Sequence, residues 1–276
     1  MEGMKYIFTS ESFCDGQPDK VCDYIADSIL DAYLSQDRAS RVACEVLRKE
    51  DQVILAGEIT SNATVDQEAV ARKAIRKVGF TNPQDSFGAD GVSVSRFISQ
   101  QVPEIASGVD STRDRSHEQG AGDQGIMFGY ATNDTPEFMP VPILLAHRLS
   151  RGLAEDRKNG TVQWLRPDGK TQVSVLYQGR TPKTVTDLVV STQHCEGAPQ
   201  GEIMGYIREH LAPRALGHWF DSAITFRINP TGSFCKGGPS ADCGVTGQKS
   251  SWTHTVEQHG KPSIGFLLGS LWRRRS

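Results

Sequence analysis

The chain has 276 residues, 37% of them hydrophobic, with 30 Lys and Arg against 33 Asp and Glu, a formal net charge of −3. That length holds one large domain or two ordinary ones and buries a core without disulfide or metal staples. The mild acidity excludes a protein built to coat nucleic acid or an anionic membrane, and six cysteines with no CxxC pair exclude a zinc ribbon or a disulfide scaffold.

Sparse, unpaired cysteines read as reduced thiols in a cytoplasmic protein. Residues 1–10 lack the apolar run of a leader, and the longest near-apolar run, 264–272, is too short to span a bilayer. Charge is uneven. Residues 250–276 carry Lys261, Arg273, Arg274 and Arg275 against Glu257, a net +3, which leaves about −6 for the rest.

The first element is an amphipathic helix over residues 19–34, where Val21, Cys22, Ile25, Ala26, Ile29, Leu30, Tyr33 and Leu34 recur at helical spacing. Two strands follow. Val42, Cys44 and Val46 alternate with Ala43, Glu45 and Leu47, and residues 53–59 are apolar except for Glu58. A helix over 65–78 has Thr64 and Gln67 as a capping box and Gly79 at its C-terminal stop. A third strand covers 92–98, and the polar stretch 99–124 reads as a long functional loop. A strand over 126–131, a helix over 141–156, strands over 172–177 and 185–192, a helix over 201–216 and a strand over 223–229 complete the pattern. Mixed order favours an α+β fold, with strand–helix–strand recurring on a scale of about a hundred residues.

Residues 120–125, Gly-Ala-Gly-Asp-Gln-Gly, match the GxGxxG dinucleotide pattern, but a strand rather than a helix follows, the wrong context for that site. The chemistry-bearing residues are instead carboxylates and lysines in Gly- and Pro-rich turns. In Asp15-Gly16-Gln17-Pro18-Asp19-Lys20, Asp19 is either a helix cap or a metal ligand. Lys20 opposes the helix dipole unless a polyphosphate sits there with Mg²⁺. Glu45 and Glu58 interrupt apolar strands, as residues of a water-facing edge or as partners of a cation. Residues 229–247 form a second dense turn region.

Together these segments resemble the S-adenosylmethionine synthetase (methionine adenosyltransferase) family. The matching strings are Phe8-Thr9-Ser10-Glu11-Ser12, Pro18-Asp19-Lys20-Val21, Gly57-Glu58-Ile59-Thr60, residues 120–133, Leu165-Arg166-Pro167-Asp168, Ser191-Thr192-Gln193-His194 and Ile228-Asn229-Pro230-Thr231-Gly232. The resemblance implies that ATP, L-methionine and water become S-adenosylmethionine, phosphate and diphosphate, by sulfur attack on C5′ of ATP, with Mg²⁺ and K⁺. It implies repeated α/β domains in a pseudo-threefold layout, the third largely missing. The expected bounds are 1–103, a mobile gate or linker 104–124, 125–236, the start of a third domain at 237–249, and an aberrant tail 250–276. A homodimer or homotetramer is implied, with active sites between subunits.

Carried over by position, Asp19 resembles a Mg²⁺ ligand and Glu45 the K⁺-site carboxylate. Glu58, Gln101 and Asp242 resemble methionine contacts, Gln101 opening the gate and Asp123 belonging to the same site. Gln17, Lys20, Asp168, Gly169, Lys170, Ser233, Phe234, Asp242, Gln248 and Lys249 fall at ATP-binding positions, and Gln17, Lys170 and Lys249 at catalytic ones.

Three substitutions and the tail depart from the family. Gln17 replaces a family histidine, Gln248 an arginine and Ser233 a basic residue. Glutamine donates a hydrogen bond but carries no charge. Losing a charge-assisted donor to a developing anion costs about 3 kcal/mol, roughly 10²–10³ in rate. After Lys249 the family continues Ile-Ile-Val-Asp-Thr-Tyr-Gly-Gly, whereas this chain reads Ser250-Ser251-Trp252-Thr253-His254-Thr255-Val256-Glu257. Codons exist that encode the observed octapeptide and, with one A placed in front, the family string. An out-of-frame tail is therefore expected. These departures set a catalytically impaired remnant, able to bind ATP or to pair with intact subunits, against an active enzyme.

Overall fold

The computed structural model describes residues 3–82, 86–100 and 129–247. In chain order its elements are β1 (Lys5–Phe13), α1 (Pro18–Leu34), β2 (Arg41–Lys49), β3 (Gln52–Thr60), α2 (Gln67–Val78), β4 (Ser93–Ser99), α3 (Val141–Lys158), β5 (Leu165–Gln178), β6 (Thr181–His194), α4 (Gln200–Gly205), a π-helix (Tyr206–Leu211), α5 (Ala212–Leu216), β7 (Thr225–Ile228) and β8 (Gly244–Val245). They divide into two compact units. One contains residues 3–17 and 129–238, the other residues 18–82, 86–100 and 239–247. The fold is α+β, as expected. Among the described residues no helix is long and apolar enough to cross a membrane.

The second unit is a four-stranded sheet in the order β4-β3-β2-β8. Its hairpin β2–β3 is antiparallel, β4 joins β3 in parallel after the α2 crossover, and β8 joins β2 antiparallel. The apolar stripe of α1 (Val21, Cys22, Ile25, Ala26, Ile29) buries against Cys44, Val46, Val53 and Leu55 from the strands and Ala71, Ala74 and Ile75 from α2. Among the described residues no element covers the opposite sheet face. There Leu47 is 42% and Phe97 67% exposed, and Glu45 and Glu58 share it. Glu45 and Glu58 thus stand on interior strands facing outward, not on an edge, because the strand period of two sends alternate residues away from the helices.

The first unit has the sheet order β1-β5-β6-β7. Hairpin β5–β6 is antiparallel, β7 runs parallel to β6 after the helical crossover, and β1 pairs β5 antiparallel. Leu145, Leu149 and Leu153 of α3 bury against Val173, Val175, Leu188 and Val190. Helix, hairpin, crossover helix and parallel strand therefore occur twice, about 125 residues apart, which is the recurrence read from the sequence.

Several boundaries differ from expectation. Strand β1 was not anticipated, because Thr9-Ser10-Glu11-Ser12 is polar and becomes strand through its pairing with Ser12↔Thr171 and its neighbours. Helix α2 starts at Gln67 rather than 65. Asp66 caps it by accepting the Ala69 N–H at 3.0 Å, while the Gln67 amide donates to the Tyr33 hydroxyl at 2.8 Å, so Thr64 and Gln67 form no capping box. Residues 129–131 carry no strand, and the strand expected over 223–229 contracts to β7. The hairpin strands reach 14 residues each because the turn lies at Gly179-Arg180. The expected helix 201–216 is interrupted by the π segment. Its first residue, Tyr206, donates its hydroxyl to Asp156 at 2.5 Å, and Arg214 binds both oxygens of the same carboxylate at 2.7 and 3.0 Å. Burial pushes the Tyr206 hydroxyl well above its ordinary pKa. Burial also opposes ionisation of Asp156, but Arg214 and Tyr206 hold it below the usual carboxylate range.

Candidate functional site

In the first unit the pairing of β1, β5 and β6 gathers one group of predicted residues. Asp168, Gly169 and Lys170 lie near the start of β5. Asp168 Oδ1 accepts the Gly169 N–H at 2.8 Å and Oδ2 the Gly238 N–H at 2.6 Å, so backbone donors fix both carboxylate oxygens. Backbone donors of this kind cost no side-chain entropy to hold in place. The Lys170 ammonium lies 2.6 Å from Glu11 Oε2 and 5.5 Å above the Phe13 ring. Its side chain is 45% exposed, that of Glu11 only 10%. An incoming phosphate would meet an aimed, half-open cation that must exchange Glu11 for it.

Phe234 is half-buried and is pinned by His194. The Phe234 N–H donates to His194 Nε2 at 3.0 Å, and the His194 N–H donates to the Phe234 carbonyl at 3.1 Å. His194 Nδ1 lies 2.8 Å from the Cys195 carbonyl. Only the neutral Nδ1–H tautomer satisfies both ring contacts. Gln193 ties the same group together, its Oε1 accepting the Asp168 N–H at 3.2 Å and its Nε2 donating to the Cys235 carbonyl at 3.0 Å. Ser233, exposed beside it, lies 3.2 Å from the Cys235 thiol through its hydroxyl. Gln17 is 8% exposed and follows a turn fixed from several sides. Cys14 N–H donates to the Gly169 carbonyl at 2.8 Å, Gly16 N–H to the Pro167 carbonyl at 3.1 Å, and Asp15 pairs with Arg157 and Lys158.

The second unit holds the other group. Asp19, 5% exposed in the first turn of α1, accepts the Val245 N–H on Oδ1 at 3.0 Å. Lys20 is half-buried beside it in sequence. Glu45 accepts the Thr246 hydroxyl. Asp242 is exposed and accepts the Cys243 N–H at 2.9 Å. Glu58 faces outward from β3, opposite Ala43. Among the described residues no three His, Cys, Asp or Glu side chains cluster as a metal cage. No cysteine among the described residues forms a disulfide, and burial pushes Cys44 up to about 11. Gln101, Asp123, Gln248, Lys249, the gate and the tail lie outside the described residues.

Two family models match this chain: the S-adenosylmethionine synthetase N-terminal domain over residues 5–103 and the central domain over residues 118–234. The chain belongs to the S-adenosylmethionine synthetase family. Proteins named S-adenosylmethionine synthase are similar along most of it. That of Akkermansia muciniphila is 51% identical over 251 residues, 88% of this chain and 64% of the relative. That of Salinibacter ruber is 48% identical over 89% of this chain and 64% of the relative. That of Desulfosudis oleivorans is 46% identical over 90% and 64%. The chain thus spans about 64% of the length of these relatives.

The sequence read residue by residue does not reveal the side chains that support this candidate site. Glu11 and Gln193 stand inside family strings, but their partners are distant in sequence. Arg48 had a local signal. Extending the alternation Val42, Cys44, Val46 by one step puts it on the inward face, where it is 0% exposed.

Proposed function

We propose that this chain carries the methionine adenosyltransferase chemistry of its relatives, joining ATP to L-methionine and hydrolysing the triphosphate. The observation that carries the proposal is the gathering of Asp168, Lys170 and Phe234 in the first unit, each locked by a bond to a neighbour. Methionine sulfur is a good nucleophile and needs no activated Ser or Cys. The barrier lies in charge moving onto the leaving triphosphate, so cationic and hydrogen-bonding groups held in place lower it. Lys170 supplies positive charge to the phosphates after releasing Glu11. Phe234 offers an apolar face to the base, and Asp168 a preset acceptor. Lys20, Gln17, Gln248 and Lys249 are assigned to the phosphates, Gly169 and Ser233 to the rest of the nucleotide, and Glu58, Gln101 and Asp242 to methionine.

The donors fit the implied ions. Mg²⁺ commonly takes one or two carboxylates plus phosphate oxygens, and Asp19 is a buried, oriented carboxylate of that kind. Glu45 with the Thr246 hydroxyl offers hard oxygens suited to K⁺. Bound metal would neutralise the triphosphate. We assign the open sheet face bearing Leu47, Phe97, Glu45 and Glu58 to a second copy of the chain.

One observation favours a second reading, nucleotide binding without efficient turnover. Gln17, nearly buried in a fixed turn, cannot carry the charge of the family histidine. Product formation from labelled methionine and Mg-ATP, measured beside ATP affinity, separates the two. Turnover that rises about 10²–10³-fold in Gln17→His supports the enzyme. ATP binding with no product in either form leaves the binding module, and the absence of ATP binding defeats both readings.

A further inference from the structure

The second unit buries a cation that none of the assigned roles uses. Arg48 closes the inward row of β2 at 0% exposure, with its guanidinium carbon 5.2 Å from the centre of the Phe87 ring. Burial pulls it down to about 10, against the attraction of nearby Cys22, Cys243, Asp242 and Asp19. Among the described residues its Nε has no hydrogen-bond partner. Such a residue costs stability unless its remaining donors are well used.

Those donors go to one place. Nη1 donates to the Pro239 carbonyl at 2.5 Å and Nη2 to the Asp242 carbonyl. The Cys243 thiol in turn donates to the Arg48 carbonyl at 3.3 Å. Only two residues of this segment, Gly244 and Val245, pair with β2 as strand. Beyond that pairing the Thr246 N–H donates to the Val46 carbonyl at 2.9 Å, and side chains supply the other holds: Val245 N–H on Asp19, Gly247 N–H on Asp23 at 3.0 Å, and the Thr246 hydroxyl on Glu45. Space is tight as well, since a Cβ on Gly244 would fall 2.4 Å from the Pro18 carbonyl oxygen.

We propose that Arg48 is a positioning residue, a rigid fork that grips the carbonyls of Pro239 and Asp242 and so sets where the Asp242 side chain stands. The fork geometry matters because its two ends reach carbonyls three residues apart, which a point-charge ammonium cannot do with the same rigidity. The substrate consequence rests on the proposed role of Asp242 in binding methionine.

The test compares the full chain with Arg48→Met and Arg48→Lys. Hydrogen exchange is read at the amides of Cys243, Val245, Thr246 and Gly247, and methionine affinity by calorimetry with Mg-ATP present. In Arg48→Met these amides should exchange at least tenfold faster while the amides of α1 and α2 keep their protection. Arg48→Lys should fall between, restoring part of it. Methionine affinity should weaken at least fivefold in step with exchange. Unchanged exchange in a folded variant overturns the tether, as does an equal loss across α1 and α2, which marks general destabilisation. If Arg48→Met does not fold, Arg48→Lys carries the same comparison. Opened exchange with unchanged affinity overturns the positioning role. A parent chain that binds no methionine removes the functional reading instead, and exchange alone then decides the tether.

Discussion

The two units share a plan of helix, hairpin, crossover and parallel strand, and differ in how each acquires its remaining edge strand. In the first unit that strand is β1, nine residues paired continuously along β5. In the second it is β8, two residues on β2. A long edge strand is secured by its own backbone ladder, so its side chains are free to form a site; Glu11 and Phe13 of β1 both meet Lys170. A short one is secured by side chains reaching across to it, and Asp19, Glu45 and Arg48 are engaged in that way. The same residue types that would bind ligand in the second unit therefore also hold the fold, and the two tasks should be harder to separate there.

The largest test of this contrast lies in the hairpins. Gly57 of β3 has φ 138°, and a Cβ there would sit 2.0 Å from the Ala43 carbonyl oxygen. Gly57→Ala should destabilise the second unit by about 3–4 kcal/mol. Amide exchange should show α1 and β2 opening while β5 and β6 stay protected; simultaneous loss in both units would deny them separate stability. Next, Asp156→Ala in the first unit should cost about 3 kcal/mol, because it leaves the buried Tyr206 hydroxyl and Arg214 without their acceptor. The same carboxylate sets an acid limit. Its folded pKa lies below 3.8, so its contribution is complete above the unfolded value and disappears as pH falls through the lowered one. Thermal melts of the first unit should fall below about pH 4, and Asp156→Asn should flatten that fall. Smaller still, Asp66→Ala removes the α2 cap and should cost the second unit about 1 kcal/mol by denaturant melt, with no change in the first. Smallest, Thr9→Val removes the 2.8 Å bond to Ser174 and should cost about 0.5–1 kcal/mol, since the β1 ladder remains.

What could be read beforehand followed a physical divide. Helix α1, hairpin β2–β3 and helix α3 were legible because their own residues carry the period that packing later uses. Strand β1 was not, since Thr9 to Ser12 have no apolar alternation and become strand only by pairing with β5. Likewise, Asp168 and Lys170 could be assigned by resemblance, but Glu11, Gln193 and His194 as their supports could not, because those bonds close only after distant strands meet. Arg48 falls between, since its inward place was implied by alternation and its two carbonyl partners were not.

The π-helix has a consequence for how this chain tolerates change in length. Across residues 206–211 the backbone closes onto the fifth residue back, as where the Ala212 N–H meets the Ile207 carbonyl, so the helix holds one residue more than an α-helix of equal rise. Deleting one residue there would let the whole stretch run as ordinary α-helix without shifting the ends of the crossover. The same deletion inside α4, with the π turn kept, would turn every later side chain of the crossover by about 100° and expel Ala212, Ala215 and Leu216 from the core. The crossover thus carries its own slack, at the one point where Tyr206 also fastens it to Asp156.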